Sequence, residues 1–87
     1  MAEDTLLEFP CDFPIKIMGQ ATGEFRSLAL GIVTRHFGTL AAHQIEERPS
    51  SGGKYLSLTC TVRAESKAQL DAVYVELTSC RQVLVAL

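Results

Sequence analysis

The stretch RPSSGGKYLSLTCTV at positions 48–62 decides how this chain folds. Its first half is turn chemistry: a proline, two serines and two glycines in a row. Its second half alternates. Leu56, Leu58, Cys60 and Val62 fall on one side, and Tyr55, Ser57, Thr59 and Thr61 fall on the other. Period-2 alternation marks a strand in a sheet with one buried and one open face. Such a strand needs neighbours, so the rest of the chain is read for them.

Upstream, residues 12–20 alternate in the same way, with Phe13, Ile15 and Ile17 on one side and Lys16, Met18 and Gln20 on the other. This is the first strand, followed by a loop over 19–23. Thr22 is placed to cap a helix, with Glu24 in the first turn where the helix dipole favours an acid. Phe25, Leu28, Ala29, Ile32, Val33 and Phe37 recur at helical spacing, and Gly38 is a natural stop. Gly31 costs that helix about 1 kcal/mol relative to alanine, which predicts a close approach of the helix to a neighbour. Residues 40–48 alternate loosely and fit a polar edge strand. The turn at 49–53 then joins two strands as a hairpin.

Downstream, Ser66 with Gln69 reads as a capping box. Leu70, Val73, Tyr74 and Leu77 follow at i, i+3, i+4, i+7, a second amphipathic helix ending at 79–80. Residues 81–87 form a last strand with Val83, Val85 and Leu87 on one face. The order is β-α-β-β-α-β. Right-handed crossovers place both helices on one face of a four-stranded antiparallel sheet. The expected fold is therefore an α+β ferredoxin-like plait of strand order 4-1-3-2, spanning 12–87 behind an N-terminal arm at 1–11. Leu6, Leu7 and Phe9 of the arm are expected against the domain edge or a second subunit.

Composition narrows the function classes. Eighty-seven residues make one domain, large enough for a two-layer core without a deep cavity. The net charge of −2 offers no broad positive field to nucleic acid or an anionic membrane. Cys11, Cys60 and Cys80 are odd in number and widely spaced, which is no disulfide framework, and Cys60 reads as a buried small hydrophobe. No run approaches the ~18 apolar residues of a membrane span, and none has signal-peptide character, so a cytoplasmic location is expected.

With the elements placed, the chain resembles the YbeD-like family of small bacterial proteins, a domain of unknown function. The matching pieces are Leu7-Glu8-Phe9-Pro10, Lys16-Ile17-Met18-Gly19, Arg35-His36, Pro49-Ser50-Ser51-Gly52-Gly53-Lys54-Tyr55 with Ser57, and Tyr74-x-Glu76-Leu77. They span essentially the whole chain, and the hairpin is the most specific. Family members often carry a lysine before the second glycine; here the basic group, Lys54, is shifted along. The resemblance implies a ferredoxin-like plait similar to ACT-type regulatory domains that bind amino acids. It implies no catalytic activity and no established ligand.

Two loops carry the candidate ligand residues. Gly19, Gly23 and Arg26 surround the turn into the first helix, where backbone N–H groups can cradle an anion. On the same plait, acylphosphatases use a glycine loop ending in Phe-Arg, but that chemistry also needs a water-positioning asparagine, and this chain has none. The plain reading is a turn. Arg48, Ser50, Ser51, Gly52, Lys54 and Tyr55, with Gly53, offer hydroxyls, amides and cations for an anion nest at the hairpin; the plain reading is a soluble turn with glycines at positive φ. His36 falls on the apolar stripe as a satisfied boundary residue, and His43 falls on the edge strand. No His, Cys, Asp or Glu grouping has metal-site spacing, so neither metal nor cofactor is expected. Cys80, beside Arg81 at a helix end, is expected to have no redox role.

The open face presents Lys16, Met18, Gln20, Tyr55, Ser57, Thr59, Thr61 and Arg63. One aromatic does not make an RNA-recognition surface, and nucleic acid is disfavoured. A semi-polar flat face suits a homodimer through the sheet face or its edge, or simply solvent. The resulting expectation is a non-catalytic regulatory or binding domain, ACT-like, acting on a small metabolite or protein partner. The alternatives are an acylphosphatase-like hydrolase and an RNA-binding module.

Overall fold

A computed structural model describes residues 8–87. Strands β1 (Cys11–Gln20), β2 (Ile45–Pro49), β3 (Tyr55–Ala64) and β4 (Val83–Ala86) alternate with helices α1 (Gly23–Phe37) and α2 (Lys67–Ser79) in the order βαββαβ. The sheet order is β2-β3-β1-β4, the expected plait with the two cleanest alternations at its centre. β1 and β3 pair antiparallel over their whole length, from Cys11 opposite Ala64 to Gln20 opposite Tyr55. Of the expected arm, residues 1–7 lie outside the described residues, Cys11 already belongs to β1, and Phe9 packs against the core.

Both helices cover one face. Ile15, Ile17, Leu58, Cys60 and Val62 point from the central strands into a core closed by Phe25, Ala29, Val33, Val73 and Leu77, all essentially inaccessible. Each large apolar side chain so buried contributes about 1.5–3 kcal/mol. The caps form as the residue types require. Thr22 Oγ1 accepts from the Phe25 N–H at 3.0 Å, and Ser66 Oγ accepts from the Gln69 N–H at 3.2 Å. The expected capping box is altered, because Gln69 Oε1 accepts from the N–H of Glu65 rather than that of Ser66.

Five expectations are corrected. The loop predicted over 19–23 shrinks to Ala21 and Thr22, because Gly19 and Gln20 stay in β1. The edge strand starts at Ile45, not 40; a 3-10 turn at Ala42–Gln44 precedes it and holds His43. Leu28 is 38% exposed, since the core-facing stripe runs through Phe25, Ala29, Ile32 and Val33 instead. Gly31 approaches nothing: a Cβ built there meets no atom within 4 Å. The last strand is shorter and turned. Met18 pairs with Val85 but Gly19 pairs with Val83, so Leu84 is the extra residue of a bulge. Val83 and Ala86 consequently pack on the core, whereas Val85 and Leu87 stand on the open side.

Candidate functional site

The bulge and the start of α1 meet at one end of the sheet, and Gly19 lets them meet. Any Cβ at Gly19 would collide with the ring of Phe25 and would lie 2.6 Å from the Gln82 carbonyl oxygen. Glycine at 19 therefore allows the Phe25 ring to seat fully and the segment before β4 to close over it. The result is a surface cleft of about 300 Å³ lined by Gln20, Thr22, Glu24, Phe25, Gln82 and Arg81, with Leu84 at its lip. Phe25 forms an apolar floor, and the walls are polar. Glu24 Oε2 accepts from Gln82 Nε2 at 3.3 Å. Arg81 is exposed and forms no ion pair among the described residues. A free cation thus lies on the rim of a cleft that also holds a carboxylate.

The hairpin lies beside this cleft. The Ala21 N–H donates to the Lys54 carbonyl at 3.0 Å, which ties together the two loops singled out in the sequence. Within the hairpin, however, the polar groups are largely spent on the turn. Ser50 N–H donates to the Tyr55 carbonyl, Ser50 Oγ accepts from the Tyr55 N–H at 3.0 Å, and the Gly53 N–H donates to the Ser50 carbonyl. Gly52 and Gly53 sit at φ of 87° and 73°, left-handed conformations that glycine adopts without strain. This geometry accounts for the motif as a turn. Ser51, Gly52 and Lys54 remain exposed at its tip.

Of the other sequence candidates, Arg48, Ser50 and Tyr55 meet in a separate hollow of about 240 Å³, and Gly23 and Arg26 stand apart. Gly23 opens α1 with empty space around it. Arg26 is committed to Glu47 on β2. Arg48 lies on the open face, 3.7 Å from Glu46, and Tyr55, opposite Gln20 in the sheet, lines that hollow rather than the cleft. The structure therefore brings Gly19 to the cleft and leaves Arg26 and the hairpin serines out of it. Glu24, Arg81 and Gln82 were not among the sequence candidates. The bulge that carries 81 and 82 across to 24 has no local sequence signature, so nothing in the spacing would have joined them.

A second cluster assembles two of the family pieces. Arg35 and Glu76 form an ion pair, and His36 Nε2 lies 2.8 Å from Glu76 Oε1, which joins the end of α1 to α2. Hydrogen bonds from Arg35 first, and then His36, hold the Glu76 carboxyl below its ordinary range. Gln69 Nε2 adds a bond to the His36 carbonyl at 3.0 Å. These groups bond to one another across the helix pair, and Arg35 and Glu76 also line an open groove of about 440 Å³ with Leu28, Ile32 and Cys80. Cys60 lies in the core, where burial pushes its thiol up to about 11. Cys80, at the end of α2 as the sequence reading has it, is half-buried with its Sγ 3.6 Å from Gln82 Oε1. Among the described residues, no three His, Cys, Asp or Glu side chains converge on one point, and no helix is long and apolar enough to cross a membrane.

The fold and site define a small α+β plait domain with a charged surface cleft at the end of its sheet. Comparison with known proteins agrees with the resemblance seen in the motifs. The chain belongs to the DUF493 family, described as proteins of unknown function, whose family model matches residues 4–87. It is similar to a UPF0250 protein of Paraburkholderia phytofirmans, at 49% identity over 97% of this chain and 94% of the relative. It is likewise similar to the UPF0250 protein NE1487 of Nitrosomonas europaea, at 47% identity over 85% of each chain. The UPF0250 protein NMC1112 of Neisseria meningitidis is 45% identical over 95% of this chain and 91% of its own length. These are the YbeD-like bacterial proteins that the motifs suggested.

Proposed function

We propose that the chain is a non-catalytic binding domain acting in an ACT-like, regulatory manner on a small zwitterion of amino-acid size, held in the cleft between the start of α1 and the lead-in to β4. The observation that carries this reading is the pairing of opposite charges, Glu24 and Arg81, on the lining of one cleft with an apolar floor. An arginine is suited to a ligand carboxylate, with which it forms charge-assisted hydrogen bonds. A carboxylate beside it is suited to an ammonium group. The volume of about 300 Å³ stands at the lower bound of small-molecule sites and favours a compact ligand.

The two alternatives gain less. An acylphosphatase-like reaction needs a free arginine at 26, and that side chain is bound to Glu47. An RNA-binding sheet needs stacking aromatics on its central strands, and Tyr55 is the one aromatic on the open face among the described residues. The reading is tested by a thermal-shift panel of amino acids and small organic acids. At a hundredfold excess over Kd, a ligand adds about 2.7 kcal/mol to stability. The expected result is a shift by amino-acid-like zwitterions that disappears in Arg81→Ala. No shift at millimolar concentration, or one that survives both Arg81→Ala and Glu24→Gln, counts against it.

A further inference from the structure

The sheet face away from the helices carries a concentration of apolar surface that the fold itself does not use. Among the described residues, the large apolar side chains left exposed include Met18, Tyr55, Leu84, Val85 and Leu87 on this face, against Leu28 and Val75 on the helical side. Between them run Ser57, Thr59 and Thr61, short side chains that keep the face flat. An antiparallel sheet tolerates one solvated face, but that face is then ordinarily polar.

The register makes this face complementary to itself. Val85, Met18, Ser57 and Arg48 form one row across all the strands. The next row is Leu87, Lys16, Thr59 and Glu46, joined at its first step by reciprocal Lys16–Leu87 backbone hydrogen bonds of 3.0 and 2.7 Å. Asp12 opposes Arg63 in a further row. Consider a two-fold axis parallel to the strands, midway between β1 and β3. It lays β1 of one copy over β3 of the other and β4 over β2, while each row stays in register. Asp12 then faces the second copy's Arg63, and Lys16 lies over the second copy's Thr59, beside its Glu46. Val85 descends beside the second copy's Arg48, where a hollow of about 240 Å³ is walled by Met18, Pro49, Tyr55 and Leu56. Each of these contacts occurs twice, as an isologous interface requires.

We propose that two copies of this chain associate through their open sheet faces, with Val85 of each filling the Pro49–Tyr55 hollow of the other and Lys16 paired with Glu46 across the two-fold. Charge complementarity supports this occupant, because the two-fold sets Asp12 over Arg63 and Lys16 beside Glu46. With strands about 4.8 Å apart and about 3.3 Å per residue, the strands of 10, 5, 10 and 4 residues offer roughly 460 Å² per copy, or about 900 Å² in all. That total lies below standard-size interfaces and marks a weak, reversible dimer. The association stands independently of the ligand reading, because its central contacts lie off the cleft.

The test is sedimentation equilibrium on the full chain across a wide concentration range. The expected result is a reversible shift from the 9.5 kDa monomer to twice that mass. Val85→Glu places a charge in the hollow and should leave a monomer with an unchanged circular dichroism spectrum. Val75→Glu, on the exposed side of α2, should leave the dimer intact and serves as the control. Lys16→Glu should weaken the dimer at least tenfold, and Glu46→Lys in the same chain should restore it. A chain that stays monomeric at millimolar concentration overturns the proposal, whether its open face is then bare or takes a different protein. So does a dimer that persists in Val85→Glu.

Discussion

Gly19 and Gly31 are both glycines in regular structure, and the fold uses them in opposite ways. At Gly19 a Cβ meets the Phe25 ring and the Gln82 carbonyl, and neither yields easily, because the ring is 1% exposed and the carbonyl is backbone. Gly19→Ala is expected to cost about 1–3 kcal/mol, the usual range for overpacking. In a domain of this size each kcal/mol lowers Tm by about 4–8 °C. At Gly31 there is room for a methyl group, so Gly31→Ala should stabilise by up to about 1 kcal/mol. Urea denaturation of the two variants should therefore move in opposite directions. Cys60 gives a pH prediction at the same scale. Its thiol is raised from 9.0 to about 11 by burial, so the folded state holds its proton where the unfolded chain has released it. The thiol's contribution is complete below pH 9.0 and is lost as pH rises towards 11. Wild type should lose stability more steeply across that window than Cys60→Ala, as read from urea midpoints. Thiol reagents should modify Cys11 and Cys80 in the native chain before Cys60.

At the scale of elements, the two helices are held to each other as well as to the sheet. Arg35, His36 and Glu76 form the join. The Glu76 carboxyl is held low, so its contribution is present above the ordinary glutamate range and is lost as pH falls through the depressed value. A carbon-detected NMR titration should place the Glu76 midpoint below those of exposed glutamates, and Arg35→Gln should raise it. The helix starts are predicted with equal directness: Thr22→Ala and Ser66→Ala should each cost about 1 kcal/mol, through loss of the hydroxyl acceptors seen at Phe25 and Gln69. Both helix starts were legible in the sequence because caps act over three residues. The central strands were legible because alternation is local. The end of the chain was not. Its apolar run, Val83 to Leu87, has the same composition on either face, and only pairing with β1 decides that Leu84 bulges and Val85 turns outward. The edge strand was overdrawn for a related reason. Gln44 leaves the ladder to donate to the Thr61 carbonyl, a contact with no short-range signal.

At the scale of the whole molecule, the plait divides its labour by face and by end. The helical face closes the core, the open face carries unspent apolar surface, and one sheet end gathers the charged cleft. The fold was readable because each step of βαββαβ is a local pattern joined by short connections. The site was only half readable. Glycine at 19 drew attention as a turn residue, but its use is spatial, making room for Phe25 and Gln82. Arg26 drew attention as an anion ligand, but the edge strand supplies Glu47 to neutralise it. Glu24 and Arg81 are 57 positions apart in the chain, and only the sheet order brings them to one cleft. The measurement that tests this most directly is an amide-resolved NMR titration of the full chain with the zwitterions selected by thermal shift. The account predicts saturable changes centred on residues 19–25 and 81–84 that vanish in Arg81→Ala. Saturable changes confined to the hairpin tip at 51–54, or none at millimolar ligand, would contradict it.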